Sequence, residues 1–220
     1  MGYELTADGP FLPVIPAPRP PLRPAIFERV AVVGLAGVGR AVAMAVRQAF
    51  PSALVIGVDR NDRLEGCIRS GAIDIGADDP IIVADADLVL LDLSRSEQTE
   101  WLAAVPELIP GAATLVTLVF QEALPDGVTA LPDRLSFVAG HVTLASRISD
   151  LRLVTAATLV DATWALAAGP GTAALTRLEA FVRALGARPA VVATEAALAA
   201  LARETAVPPG SRDESTPSAV

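Results

Sequence analysis

Cysteine, histidine and positive charge are all scarce in this sequence, and each scarcity removes a class of explanation. Cys67 is the only cysteine among 220 residues, so no intramolecular disulfide can form. With no secretory leader in view, the expected compartment is the reducing cytoplasm. His141 is the only histidine, which leaves no ligand set for a metal centre. The 17 basic residues stand against 25 acidic ones, a formal net charge of −8. No basic stripe is left to hold a nucleic acid, and attraction to an anionic membrane surface is weak. Apolar runs are short too, because Arg152, Asp161 and several prolines interrupt them before bilayer-crossing length. No internal repeat is visible.

What is present reads as a soluble globular protein. Hydrophobic residues make up 52% and charged residues 19% of the chain, and the length suits one domain better than two. Proline crowds the start (Pro10, Pro13, Pro16, Pro18, Pro20, Pro21, Pro24) and blocks helix and ladder pairing, so residues 1–28 are expected to form an extended arm. From Arg29 to Ala193, short β-branched runs alternate with helical stretches. Strands are expected at Arg29–Gly34, Ala53–Val58, Asp87–Leu93, Thr114–Val119, Leu135–Val142, Thr163–Ala167 and Arg188–Ala193. Helices are expected at Gly37–Phe50, Asp62–Ser70, Ser96–Leu108 and Thr172–Leu185. This rhythm predicts an α/β domain over 29–193, Rossmann-type and doubly wound, with a mostly parallel sheet and helices on both faces. A last helix over 194–206 carries Leu198 and Leu201 on one face, to pack on the sheet or on a second copy of the chain. Residues 207–220 lack periodicity and read as a disordered tail.

The sharpest local signal is the run from Val30 into Gly34, Leu35, Ala36, Gly37, Val38 and Gly39, a strand passing through a glycine turn into a helix. Such a turn aims the free amides and positive dipole end of the helix at a pyrophosphate. Gly34 permits the tight turn and Gly39 a close helix-to-strand contact, while Ala36 stands where the usual motif has its second glycine. Asp59 closes the next strand about 20 residues further on, the place of a carboxylate that holds ribose hydroxyls and disfavours a 2′-phosphate. NAD is therefore the expected cofactor, and Arg60 beside it keeps NADP open. The other reading of the turn is an ordinary packing turn.

A longer succession of residues resembles the prephenate and arogenate dehydrogenases. It runs through Val32–Leu35, Gly39, Ala43, Gly57–Arg60, Ser70–Asp74, Ala84–Val89, Phe137–His141, Thr163–Leu166, Gly169–Leu175 and Ala184–Arg188. The resemblance implies oxidative decarboxylation of a small cyclic hydroxy acid, with hydride passing to the nicotinamide. It makes His141 the acid/base group, with Ser146 beside it as a second catalytic residue, and Leu93 and Ser94 part of the cofactor site. Thr117 and Gln121 would face the substrate. Arg147, by its planar fork, is expected either to pair with a substrate carboxylate or to stand as a solvated loop residue. An imidazole suits the task because it titrates near neutrality.

Several positions depart from that family's pattern. Val142 stands for a proline after the histidine, and only Ser146 survives of the small-Gly-Ser-Glu continuation at Leu144–Arg147. Thr117 and Gln121 are the only polar side chains left in the motif after the fifth strand. Asp92 introduces a carboxylate at an apolar position, where it needs a partner, solvent or a use. The family's helical second domain would begin near 194, and its His-Asp pair there is Ala197 and Leu198. A second copy of the chain or a protein partner is the expected source of the wall that domain supplies. Two functions follow: a dehydrogenase, or a non-redox descendant that regulates, scaffolds or works without cofactor.

Overall fold

The computed structural model describes residues 24–120, 123–144, 155–167 and 173–205. Valine- and leucine-rich runs form strands β1 (Arg29–Val33), β2 (Leu54–Val58), β3 (Ile75–Ala77), β4 (Leu88–Leu91), β5 (Ala113–Thr117), β6 (Leu135–Thr143), β7 (Thr163–Ala167) and β8 (Arg188–Val191). They pair into one sheet in the order β3-β2-β1-β4-β5-β6-β7-β8. The first six are parallel, β7 runs antiparallel to β6, and β8 is parallel to β7. The fold is the doubly wound α/β type that the alternating pattern predicts.

Both faces are covered, which is why the strands are apolar throughout. Val30, Val32, Leu88 and Leu90 point to one side, into a core shared with α1 (Val38–Ala49), α2 (Asn61–Arg69) and α4 (Ala173–Ala184). Ala31, Val33, Val89 and Leu91 point to the other, against Leu102 and Val105 of α3 (Arg95–Leu108). In α1 the buried Gly39, Val42, Ala43 and Val46 recur every three to four positions, a stripe that fits a helix laid on a sheet. Each fully buried leucine contributes roughly 1.5–3 kcal/mol. The last helix, α5 (Glu195–Thr205), sets Leu198 and Ala199 on Phe120, Ala139, Ala165 and Ala167, so its apolar face is spent on this sheet.

The arm and one strand differ most from the sequence expectation. The arm does not extend to residue 28: Phe27 is fully buried, edge-on to Phe181 at 5.4 Å, and Arg177 stacks over its ring. Residues 1–23 and 207–220 lie outside the described residues. The edge strand β3 is not visible in the sequence, because three residues with a central glycine carry no period.

The carboxylates that flank the strands hold the sheet ends together. Asp87 accepts the amides of Glu28 and Arg29 at 3.0 and 2.9 Å, tying the start of β1 to β4. Asp74 accepts the Val55 amide at 2.8 Å and pairs with Arg47 of α1 at 2.7 Å. Both belong to segments that carry the family resemblance, and here both are structural.

Candidate functional site

The chain runs outward from β1 through β2 to β3, then returns to β4 on the other side of β1. In such sheets the crevice at the carboxyl ends of the two central strands is where ligands bind. The glycine turn lies there. Gly34 has φ +85° and its amide bonds the Val58 carbonyl at 2.9 Å; Gly37, the residue before α1, has φ +62°. Side chains are barred for a further reason. A Cβ on Gly34 would run into the Asp92 carbonyl, and one on Gly39 into the Gly34 carbonyl. Ala36 is exposed at the turn's crest and Leu35 is buried beneath it. Val38 opens the helix, half-buried.

Asp59, at the end of β2, turns its carboxylate under this turn. It accepts the Leu35 and Arg60 amides at 2.7 Å each and pairs with Arg63 of α2 at 3.2 Å, with only 6% of its side chain exposed. The residue expected to hold ribose hydroxyls is thus already bonded to the chain itself. Arg60 is exposed and leans toward Asp62 at 3.8 Å.

Asp92 follows β4 and faces the turn from the opposite strand. Its Oδ2 accepts the Gly39 amide at 2.7 Å, one of the α1 amides that has no partner within the helix. Burial, with Asp59's negative charge adding to it, pushes the Asp92 carboxyl up to about 6 against the opposing pull of the Gly39 bond and Arg63. A folded value above the unfolded one means the native state binds the proton more tightly. The contribution of Asp92 to stability is therefore full below about pH 4 and is lost as pH rises through 6. Asp92→Asn keeps an acceptor for Gly39 without the charge. It is expected to raise stability at pH 7.5 by roughly 2 kcal/mol, or Tm by about 5 °C, and to flatten the pH 4–6 part of the stability profile. Urea melts across that range check it, and an unchanged slope would show that Asp92 is not the titrating group.

The crevice between these residues has a volume of about 530 Å³ and is lined by Gly34, Asp59, Arg60, Arg63, Asp78, Asp92, Leu93, Glu97 and Trp101. Leu93 is in the lining; Ser94 caps α3, where Glu97 accepts both its amide at 2.8 Å and its hydroxyl at 2.5 Å. Those two bonds hold the Glu97 carboxyl below its ordinary range.

The other expected residues lie further along the same edge of the sheet. Val33, Leu91, Thr117 and Ala139 stand level across β1, β4, β5 and β6, so His141 sits two residues beyond that level, at the carboxyl end of β6. It is three strand spacings from β1, or about 14 Å. His141 Nδ1 accepts the Phe120 amide at 3.3 Å, which puts the proton of the neutral ring on Nε2. Burial lowers its pKa and keeps the ring neutral near pH 7. Thr117 is a correction. It is fully buried, and its hydroxyl donates to the Gly140 carbonyl at 2.9 Å while accepting the Gly140 amide at 2.8 Å, so it stitches β5 to β6 and does not face substrate. Gln121, Ser146 and Arg147 lie outside the described residues.

Sequence reasoning missed Arg63 and Asp78, and it left Asp92 without a partner. An arginine four residues after Asp59, on the opening turn of a helix, is the signal that points to the first. The Asp92 bond joins residues 53 apart and has no local signal. No cluster of metal-ligating side chains occurs among the described residues, and no helix there is long and apolar enough to cross a membrane.

No protein-family model matches the chain, and no curated protein does. Solved structures match it in fold. Prephenate dehydrogenase from Aquifex aeolicus, in complex with hydroxyphenyl propionate and NAD+, is 19% identical with a TM-score of 0.66, covering 76% of this chain and 60% of that one. Synechocystis arogenate dehydrogenase is 16% identical with a TM-score of 0.65, over 74% and 59%. A ketopantoate reductase from Ralstonia eutropha is 18% identical with a TM-score of 0.60, over 76% and 57%. The chain spans about three-fifths of the length of these relatives. At such identities the likeness is one of architecture: the chain has the Rossmann-type fold of NAD(P)-dependent oxidoreductases and is similar, in that fold, to prephenate and arogenate dehydrogenases.

Proposed function

We propose that the chain is an NAD(P)-dependent oxidoreductase of the cytoplasm that acts on a small cyclic hydroxy acid. The observation that carries this reading is the left-handed glycine turn at Gly34 and Gly37, which delivers the α1 amides to the crevice where the sheet reverses. The residues fit a dinucleotide in part. The exposed crest at Ala36 and the α1 amides suit a diphosphate, while Asp59 meets a ribose only by sharing its bonds to Leu35 and Arg63. Bound there, a nicotinamide cofactor would accept the hydride.

Within this reading, Gly34–Gly39 hold the diphosphate, Asp59 and Arg60 the ribose end, with Leu93 and Ser94 along the crevice. His141 meets the substrate hydroxyl. Its neutral ring is the form an acid/base group needs, and taking a proton on Nδ1 requires giving up the long Phe120 bond, a cost of about 1 kcal/mol. Ser146 and Gln121 are assigned to the same end through the resemblance alone, and Arg147 through the fit of its planar fork to a carboxylate. The Aquifex relative's hydroxyphenyl propionate, a ring-bearing acid, supports the substrate class. A second copy of the chain, or a partner, closes the open side.

One observation favours a second reading, a non-redox descendant that regulates, scaffolds or works without cofactor. Asp59 and Asp92 both fill nucleotide positions with the chain's own carboxylates. Titration with NADH and NADPH, followed by nicotinamide fluorescence and melting temperature, separates the two. Binding near micromolar Kd stabilises the fold at millimolar ligand by roughly 4 kcal/mol. No shift with either nucleotide leaves the second reading.

A further inference from the structure

We propose that Asp92 decides which ligands the crevice admits: its carboxylate occupies the α1 amide a phosphate oxygen would use, so a diphosphate binds only when Asp92 is neutralised or swung aside. The inference rests on the nucleotide reading of this crevice and adds a selectivity device to it.

The geometry is specific. Gly39 is the second residue of α1, and its amide points into the crevice to meet Asp92 Oδ2 at 2.7 Å. An incoming phosphate seeks the same free amides and dipole end. Asp92 does not simply dangle there. Its backbone closes on Gly34 so tightly that a methyl group there would meet the Asp92 carbonyl, and its side chain lies close against Gly39. A phosphate oxygen must therefore displace the carboxylate or share the amide with it, and two anions on one helix terminus repel.

The surroundings do not relieve that repulsion. Asp59 faces Asp92 from the end of β2, Asp78 from the segment after β3, and Glu97 from α3. Two cations face it, Arg63 from α2 and Arg60 from the residue before that helix; Arg63 is paired with Asp59 and Arg60 leans toward Asp62. The turn itself brings no charge; Arg40, just after it in α1, lies with Leu35, Ala36, Gly37 and Arg63 around the neighbouring hollow. At neutral pH a diphosphate therefore has to push the charged Asp92 aside and binds more weakly for it, and its affinity rises in mildly acid solution, because Asp92 takes up its proton at about pH 6.

Calorimetry with NAD+ and, separately, inorganic pyrophosphate tests this on the full chain, comparing wild type, Asp92→Asn and Asp92→Ala at pH 7.5 and 5.0. Ratios between proteins at one pH cancel the ligands' own titration. At pH 7.5 both variants should bind at least about tenfold more tightly than wild type, the size of one charged contact removed, and at pH 5.0 the advantage should shrink to within about twofold. If variants and wild type bind NAD+ alike at both pH values, the proposal falls and the nucleotide reading stands. If the variants gain affinity for pyrophosphate while no protein binds NAD+, the Asp92 assignment stands and the nucleotide reading falls. If nothing binds either ligand, both fall.

Discussion

Gly34→Ala is expected to cost the fold about 4 kcal/mol, a large part of the 5–15 kcal/mol that holds a typical domain together. Two penalties add. A non-glycine residue at φ +85° pays roughly 1–2 kcal/mol for the left-handed backbone. The new methyl group also meets the Asp92 carbonyl, which is fixed by the Asp92 amide's 2.8 Å bond to Val33. Relief of that clash forces β1 and β4 apart at their carboxyl ends, an overpacking cost of about 1–3 kcal/mol. Gly71→Ala is the control. It shares the positive φ, at +68°, but a Cβ there meets nothing within 4 Å, so it should lose only the conformational part, about 1 kcal/mol. Urea denaturation of the two variants side by side reads the difference. Equal losses would mean the turn does not press against β4.

Phe181→Ala should be of similar size, about 3–5 kcal/mol. Its ring is fully buried, lies parallel to Phe50 at 5.8 Å between centroids and meets Phe27 edge-on at 5.4 Å. Few neighbours can collapse into the space it leaves, because Phe27 is held by Arg177 over its face and Phe50 closes the end of α1. Arg177→Ala removes the exposed cation above that ring together with its bond to the Ile26 carbonyl and its 3.7 Å pair with Asp87, and should cost about 1–2 kcal/mol. The pair of variants is read by chemical denaturation. A Phe181 variant within 1 kcal/mol of wild type would show that the aromatic cluster is not a core.

The sequence disclosed the parts whose cause is local. The β1–turn–α1 passage was legible because only glycine tolerates the positive φ at Gly34 and Gly37. Helices α1 to α4 were placed to within a few residues by their apolar spacing. What stayed hidden depends on residues far apart in the chain. The ends of the fourth strand are an example: Asp87 and Asp92 belong to the predicted run but lie just outside β4, turned away to take amides from β1 and α1. Thr117 was placed at the substrate by the family resemblance, and its use is Gly140 on the adjacent strand. Phe27 sat in a proline-rich context, and only Phe181 explains its burial.

That last contact has a consequence for how the protein is made. Arg177 bonds the Ile26 carbonyl across a separation of 151 residues. On a ribosome adding about 5–20 residues per second, that segment emerges roughly 8–30 s before the helix that covers it. Through that interval a bare aromatic ring waits beside an unfinished sheet, so the nascent chain is most exposed to chaperones and to aggregation just before α4 arrives.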